Sequence, residues 1–147
     1  MLEDIVIFAA GMGVRMGEIT KKTPKPLINV NGKPLIFYTL DFILRAACFK
    51  RIFINSYHHA SQIREYINHF LSKYKNLYNK YYNSNGFNEY IFPEIILVEE
   101  ERLLETGGSV KNIANIYNLP QFIFTINSDS IFLVKKDFNI FLELNRK

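Results

Sequence analysis

Cysteine is almost missing from this chain: Cys48 is the only one among the 147 residues. A single cysteine excludes an intrachain disulfide, and it excludes a metal cluster built on cysteine ligands. Sparing use of cysteine is typical of a reducing compartment, because disulfides form and persist in oxidising ones. The composition therefore predicts a cytoplasmic protein.

A long apolar run is missing as well. The most apolar segment, 34–48, contains Asp41 and Arg45 and is shorter than a membrane-spanning helix. The chain opens with Glu3 and Asp4, whereas the start of a secretory signal is basic. Both features predict a protein that has no membrane partner.

A strong excess of one charge is the third absence. Lys and Arg number 18 against 14 Asp and Glu, which gives a net charge of +4. No basic face or aromatic platform motif is evident, so nucleic acid is not an expected partner. The positive residues instead gather near the start of the chain, which favours a small anionic ligand. They are Arg15, Lys21, Lys22, Lys25 and Lys33.

Apolar runs of strand length alternate with segments of helical spacing. Strands are predicted at 5–10, 51–55, 94–99 and 122–126, and helices at 35–48, from Ser61 onward, at 109–117 and at 138–144. This alternation predicts an α/β fold with a doubly wound, mainly parallel sheet, in a single domain over 1–147. Residues 11–26 are predicted as a loop that follows the first strand. The polar, aromatic segment 76–90 is predicted as a surface loop.

A glycine-rich segment, residues 9–16 (AAGMGVRM), follows the first predicted strand directly. Its glycines allow the backbone to approach a phosphate and to direct N–H groups at it. Arg15 adds a permanent positive charge. The spacing differs from the dinucleotide fingerprint, and the Gly-Lys-Ser/Thr of a P-loop is absent. Taken alone, the segment is equally consistent with a tight turn after a strand.

Lys25 lies between two prolines in the segment 23–27 (TPKPL). The prolines fix the backbone on both sides, so the ammonium group is presented from a stiff segment. A solvated lysine in a turn is the alternative for an isolated Pro-Lys-Pro.

Three segments together, 9–16, 20–27 and 30–36, resemble the opening of the sugar-1-phosphate nucleotidyltransferase family. The resemblance covers nearly all of the chain. It implies a Rossmann-like domain that uses Mg²⁺ to convert a nucleoside triphosphate and a sugar-1-phosphate into a nucleoside diphosphate sugar and pyrophosphate. It implies that Lys25 neutralises charge between the sugar phosphate and the α-phosphate. It also implies that the triphosphate is held by a set of residues near the first strand, namely Ala9, Ala10, Gly11, Gly13 and Arg15.

The segment 103–109 (LLETGGS) follows the third predicted strand. From the residues alone, it is either a ligand-approach site at a helix N-terminus or a plain capping box with Thr106 as N-cap. In the family, this segment contacts the nucleobase, which implies that role for Glu105, Thr106 and Gly107. Its form is most similar to N-acetylmuramate-1-phosphate uridylyltransferases, which implies UTP. Guanylyltransferases and glucose-1-phosphate nucleotidyltransferases of the same family are the nearest alternatives.

Asp129 ends the segment 127–129 (NSD) after the fourth predicted strand. The family usually has Asn-Gly-Asp here, and its Asp coordinates Mg²⁺, so the resemblance implies that Asp129 is the metal ligand. With Arg15 and Lys25, it completes the implied catalytic set. Ser128 replaces the usual Gly and adds a side chain close to the ligand. A turn or N-cap role is the alternative for Asp129.

Three histidines carry weaker signals. His58 and His59 follow the second predicted strand, and we expect them to be structural or loosely substrate-facing rather than catalytic, because no third ligand or nucleophile accompanies them. His69 is expected to face solvent.

Family catalytic domains continue well past 147 residues, and the remainder supplies further strands, most of the sugar pocket and a second acidic metal ligand. We therefore expect an incomplete sheet, covered by a second polypeptide or by self-association. A non-catalytic nucleotide-binding fragment or remnant is the alternative to an active transferase.

Overall fold

The structure is a computed structural model that describes residues 4–86 and 90–132. In chain order the strands are β1 (Asp4–Phe8), β2 (Asn29–Val30), β3 (Lys33–Pro34), β4 (Arg51–Ser56), β5 (Glu94–Glu99) and β6 (Phe124–Asn127). The helices are α1 (Glu18–Lys22), α2 (Leu35–Ala46), α3 (Ala60–Ser84) and α4 (Glu105–Ile116).

Four strands form one sheet in the order β5-β4-β1-β6, while β2 and β3 make a small antiparallel pair. All neighbours in the larger sheet are parallel, and Val6 of β1 faces Phe53 of β4 on one side and Thr125 of β6 on the other. This arrangement confirms the predicted mainly parallel α/β sheet. Because the strands are parallel, the loops after them gather at one edge of the sheet.

Helices cover both faces of the sheet because the strand side chains alternate. Ile5 and Ile7 pack into a large core with α2 and α3, in which Leu40 and Ile63 are fully buried. Val6 points to the opposite face and packs with Ile113 of α4. The doubly wound arrangement is therefore confirmed.

Helix α2 begins after Pro34, as predicted, but it ends at Ala46, two residues before the predicted end. Ala47 adopts a left-handed conformation with φ 50°, which terminates the helix. Cys48 then turns into the core, where burial raises the pKa of its thiol to about 12. At neutral pH the thiol is therefore protonated and is a poor nucleophile.

Helix α3 corrects the predicted loop at 76–90, because the helix continues to Ser84. Its aromatic residues recur at four-residue spacing and form a stripe that faces the core, and they are Tyr66, Phe70, Tyr74, Tyr78 and Tyr82. The Tyr82 hydroxyl donates to the Leu44 carbonyl at 2.9 Å, and the Tyr78 hydroxyl donates to Asp41. These contacts with α2 outweigh the polar composition of the segment.

The start of α3 also differs from the prediction. Ser61 was the expected N-cap, but the helix begins at Ala60 after His59, which is left-handed with φ 53°. His59 makes no side-chain capping bond there. The predicted loop at 11–26 needs a second correction, because it contains α1 and two short 3₁₀ turns, Val14–Met16 and Lys25–Leu27.

Strand β6 lies at one end of the described sheet. Beside it is an apolar groove of about 320 Å³. Its walls come from β1, β6, α2 and the segments next to them, and they are Ile5, Phe42, Ile43, Phe49, Phe124, Thr125, Ile126 and Phe132. The helix predicted at 138–144 lies outside the described residues. Within the described ranges, none of the helices combines the length and the hydropathy that crossing a bilayer requires.

Candidate functional site

A cavity of about 440 Å³ opens at the carboxyl ends of the parallel strands. Four chain segments, from the ends of β1, β4, β6 and the start of α4, meet there with the Pro-Lys-Pro turn. The lining residues are Phe8, Ala10, Gly11, Lys25, Pro26, Asn55, Leu103, Glu105, Thr106, Ser109, Asn127, Ser128 and Asp129.

The two glycines of the loop after β1 have different roles. Gly11 lines the cavity, and a Cβ added to it would meet no atom within 4 Å. Gly13 is left-handed with φ 65°, and an added Cβ would lie 2.8 Å from Thr20 Cγ2 and 3.2 Å from Lys25 Cβ. Gly13 is thus required for close packing of the loop against the segment that carries Lys25.

Thr20 fastens the glycine loop from inside. Its side chain is buried, and its Oγ1 lies 3.0 Å from the Gly13 carbonyl and 3.1 Å from the Gly17 carbonyl. The hydroxyl has one hydrogen, so it donates to one of these carbonyls at a time. Sequence reasoning used Thr20 only as the first residue of a motif and missed this role.

The histidines after β4 bind the backbone of α1. His58 Nε2 lies 3.0 Å from the Thr20 carbonyl, and His59 Nε2 lies 3.0 Å from the Lys21 carbonyl. A carbonyl only accepts, so each Nε2 carries a hydrogen. Both residues are absent from the cavity lining, and their bonds hold α1, the helix that follows the glycine loop. His69 is exposed.

Lys25 and Asp129 form an ion pair between Lys25 Nζ and Asp129 Oδ2. Their side chains are 36% and 32% exposed, and both residues line the cavity. The structure therefore brings together two of the three residues that were implied to be catalytic. An ion pair of this exposure is screened by solvent and adds little to stability.

The turn that carries Asp129 is anchored by Thr39 of α2, whose side chain is fully buried. Thr39 Oγ1 lies 3.2 Å from the Ser130 carbonyl and 3.4 Å from the Asn127 carbonyl. The Ser130 N–H also donates to the Asn127 carbonyl at 3.3 Å, which closes the turn. No local pattern in the sequence points to Thr39, because it precedes its partners by about 90 residues.

Ser128, where the resemblance leads us to expect a glycine, lines the cavity and is 5% exposed as a residue. Its N–H donates to the Phe8 carbonyl at 3.1 Å and so extends the β1–β6 pairing by one residue.

Asn55 joins three segments through its buried amide group. Its Oδ1 accepts the Ala9 N–H at 2.7 Å, and its Nδ2 donates to Glu100 Oε1 at 2.8 Å and to Ser109 Oγ at 2.9 Å. The Leu104 N–H donates to Glu100 Oε2 at 3.2 Å. We call Asn55, Glu100 and Ser109 the Asn55 network. Sequence reasoning missed it, although an Asn at the end of an apolar strand was a visible signal.

Helix α4 begins at Glu105, four residues before its predicted start, with Leu104 rather than Thr106 at the N-cap position. Glu105 is left-handed with φ 57°, which is unusual for a residue other than glycine. The Ser109 hydroxyl lies 2.6 Å from the Glu105 carbonyl and within 2.5 Å of Glu100 Oε1.

The implied nucleotide-binding residues divide into two groups. Ala10, Gly11, Glu105 and Thr106 line the cavity, and Ala9 lies directly behind it with its N–H bound to Asn55. The other group does not line the cavity, and it comprises Gly13, Arg15 and Gly107. Arg15 is exposed on the turn Val14–Met16.

A metal site made only of protein groups is not present in the described part of the chain, where no three His, Cys, Asp or Glu side chains come together. Mg²⁺ is usually bound by one or two carboxylates together with substrate phosphates and water. The Asp129 carboxylate in the cavity fits such a mixed set.

Known proteins of several specificities are similar to this chain. The 2-aminoethylphosphonate cytidylyltransferase of Lancefieldella rimae is 30% identical over 112 residues, which are 76% of this chain and 35% of that protein. The N-acetylmuramate alpha-1-phosphate uridylyltransferase of Caulobacter vibrioides is 29% identical over 130 residues, 87% of this chain and 46% of that protein. The chain thus spans less than half the length of these relatives.

A crystal structure of UDP-glucose pyrophosphorylase complexed with UDP-glucose has the same fold, with a TM-score of 0.70 and 22% identity. The match covers 99% of this chain and 53% of that one, which supports the Rossmann-like arrangement. The model of the family described as "Nucleotidyl transferase" matches residues 4–147, so this chain belongs to that family.

Proposed function

We propose that this nucleotidyl transferase chain binds UTP in the cavity and takes part in transferring UMP to a sugar-1-phosphate, with release of pyrophosphate. The observation that carries the proposal is the meeting of Lys25 and Asp129, 104 residues apart in sequence, in one cavity at the carboxyl ends of the strands. A cation and a carboxylate at that edge are what a phosphate–metal site requires.

Charge repulsion is the main obstacle to this reaction, because a phosphate dianion must approach an α-phosphate that already carries negative oxygens. Catalysis therefore depends on positioning and on neutralisation of charge. Lys25 is suited to lie between the two phosphates, since the flanking prolines and the packing against Gly13 limit its backbone freedom. We propose that its ammonium group exchanges Asp129 for phosphate oxygens when the substrates enter.

The proposed transfer is an in-line displacement. An oxygen of the sugar phosphate forms a bond to the α-phosphorus, and the bond from that phosphorus to the bridging oxygen of the β-phosphate breaks. The electron pair of the broken bond leaves with pyrophosphate. Mg²⁺, when bound by Asp129 and phosphate oxygens, supplies further neutralisation of charge. Arg15 would approach the triphosphate from its exposed turn.

The nucleoside is proposed to lie against the start of α4, where Glu105 and Thr106 line the cavity. Similarity to the Caulobacter uridylyltransferase and the LETGG form of the segment support UTP. CTP is the second candidate, because the Lancefieldella cytidylyltransferase has the same degree of identity over a shorter match.

The apolar groove beside β6 supports the proposal that a second polypeptide or a second copy covers this edge of the described sheet. The remaining alternative is a chain that binds nucleotide without turnover.

Calorimetric titration of the chain with UTP, CTP and GTP in Mg²⁺ tests the nucleotide, and pyrophosphate release with a panel of sugar-1-phosphates tests the reaction. We expect UTP to bind most tightly and to release pyrophosphate with one of the sugars. Tighter binding of CTP would favour the second candidate. Binding without release would favour the nucleotide-binding alternative, and failure of all three nucleotides to bind would contradict the proposed function.

A further inference from the structure

The Asn55 network joins three segments of the cavity wall through hydrogen bonds between buried groups. Asn55 is 2% exposed, and its amide bonds fix its orientation, because the oxygen must face the Ala9 N–H and the nitrogen must face Glu100 and Ser109. An amide turned by half a rotation would place its donor against the Ala9 N–H.

Glu100 shows that the network has more than a packing role. Its carboxylate is in a residue that is 7% exposed, and the groups that donate to it, Asn55, Ser109 and the Leu104 N–H, are all neutral. Burial of a carboxylate is unfavourable unless its hydrogen bonds are complete. A carboxylate also repels phosphate, so Glu100 is poorly suited to bind the triphosphate itself. Its chemistry suits it to orient neighbouring donors.

Glu105 shows which part of the backbone the network controls. Its left-handed conformation costs free energy and persists only where neighbouring contacts hold it. The Ser109 hydroxyl has one hydrogen, and both Glu100 and the Glu105 carbonyl lie within its reach; Glu100 also accepts the N–H of the preceding residue, Leu104. These contacts act on the turn that opens α4 and contributes Glu105 and Thr106 to the cavity.

We infer that Asn55 and Glu100 are positioning residues for the proposed nucleotide site. Asn55 fixes the Ala9 backbone on the wall that the resemblance assigns to the triphosphate, and through Glu100 and Ser109 it fixes the α4 turn on the opposite wall. The network thereby sets the distance between the two ends of a bound nucleotide. This inference rests on the proposed function for the identity of the ligand.

An exchange of charge between the two residues tests the inference. Asn55→Asp places a second carboxylate beside Glu100, and Glu100→Gln presents a donor either to the Leu104 N–H or to the Asn55 amide. In the double variant, the carboxylate at 55 accepts the Ala9 N–H and the amide at 100. The oxygen of that amide then accepts the Leu104 N–H. The double variant therefore restores the pattern with the groups reversed.

Two measurements are made on the full chain: the Kd for UTP in Mg²⁺ by calorimetry, and the exchange rate of the Ala9 amide hydrogen by NMR. We expect each single variant to weaken UTP binding about tenfold, since Asn55→Asp sets two buried carboxylates against each other and Glu100→Gln sets two buried donors against each other. The Ala9 amide should exchange faster in Asn55→Asp, because repulsion from Glu100 moves the acceptor at 55 away from the Ala9 N–H. The double variant should recover both values, and Asn68→Asp on the exposed face of α3 should change neither.

Recovery in the double variant supports the inference even if one single variant fails to fold. A folded double variant that stays as weak as the singles, or one that does not fold, overturns it, as do single variants with the wild-type Kd. Failure of the wild-type chain to bind UTP contradicts the proposed function instead. In that case Ala9 exchange decides the inference: recovery only in the double variant supports positioning, and any other pattern overturns it.

Discussion

The two polar constellations of the cavity differ in how their charges meet solvent. The Lys25–Asp129 pair is about one third exposed on both sides, and each partner is held by its own segment. The Asn55 network is almost fully buried, and each of its members has several partners. We call the Lys25–Asp129 pair the exposed pair, because it is open to solvent in comparison with the network. Such a pair loses little free energy when its partners separate, whereas a buried network cannot change partners without leaving a group unsatisfied.

This contrast separates ligand contact from positioning. Partial exposure suits side chains that must exchange one partner for a phosphate, because water screens the two charges while they are separated. Side chains that must keep the backbone in one arrangement are suited to the buried network, because the low local polarity makes each lost hydrogen bond costly. Changes to the pair should therefore affect turnover more than stability, and changes to buried supports should affect both.

Removal of either member of the exposed pair gives the largest expected effect on turnover. We expect Lys25→Ala and Asp129→Ala each to lower pyrophosphate release by about 100-fold or more, because Lys25 is proposed to neutralise the transferring phosphate and Asp129 to hold the Mg²⁺ that does so. The free energy of unfolding should change by less than about 1 kcal/mol in urea titrations. Lys80→Ala on the exposed face of α3 is the matched control and should leave release unchanged. Near-normal release in either variant would contradict the assignment of the pair.

The exposed pair and the buried network also differ in how far the sequence reveals them. Lys25 and Asp129 lie in local motifs that resemble those of the sugar-1-phosphate nucleotidyltransferase family, and that resemblance implied a role for both. Asn55 and Glu100 are 45 residues apart, and their link exists only because β4 and β5 pair in parallel register. A single sequence does not fix which polar side chains meet across such a pairing.

The accuracy of the predicted secondary structure also depends on whether the cause of each element is local or distant in sequence. Strands in the core were predicted well because apolar runs of strand length are local signals. The prediction of a loop at 76–90 is wrong because the four-residue spacing of the tyrosines, a local signal for a helix, outweighs the polar composition of the segment. The early start of α4 was not predictable in this way, since the left-handed Glu105 is held by Ser109 and its surroundings.

Substitutions at Gly13 and Gly11 give the next largest expected effect, on the free energy of unfolding. They test whether the segment that carries Lys25 is held by packing against Gly13. Gly13→Ala should lower the free energy of unfolding by about 1–3 kcal/mol, because it forces a left-handed alanine against Thr20. Gly11→Ala meets open space, so its free energy of unfolding should stay within about 0.5 kcal/mol of the wild type. Thermal and urea unfolding measure the difference. Equal destabilisation by both substitutions would show that the packing against Thr20 is unimportant.

Substitution of Thr39 gives the smallest expected effect. Thr39 is buried and acts only through the turn that carries Asp129. Thr39→Val keeps the shape of the side chain but removes the hydroxyl that reaches the Asn127 and Ser130 carbonyls. We expect a loss of about 1 kcal/mol in the free energy of unfolding, and a weaker Mg²⁺ dependence of UTP binding as the turn with Asp129 loosens.

Thr39→Ser is the matched control, since it retains the hydroxyl and removes only a methyl group. If the hydroxyl positions Asp129, the Ser variant should keep the wild-type Mg²⁺ dependence even though the lost methyl lowers its stability by an amount similar to that of Val. Equal loss of Mg²⁺ dependence in both variants would mean that packing of α2, rather than the hydrogen bond, sets the position of the turn. Thr39 would then position Asp129 through its packing alone. The distinction between residues that contact the ligand and hydrogen-bonded residues that position the backbone would not extend to Thr39.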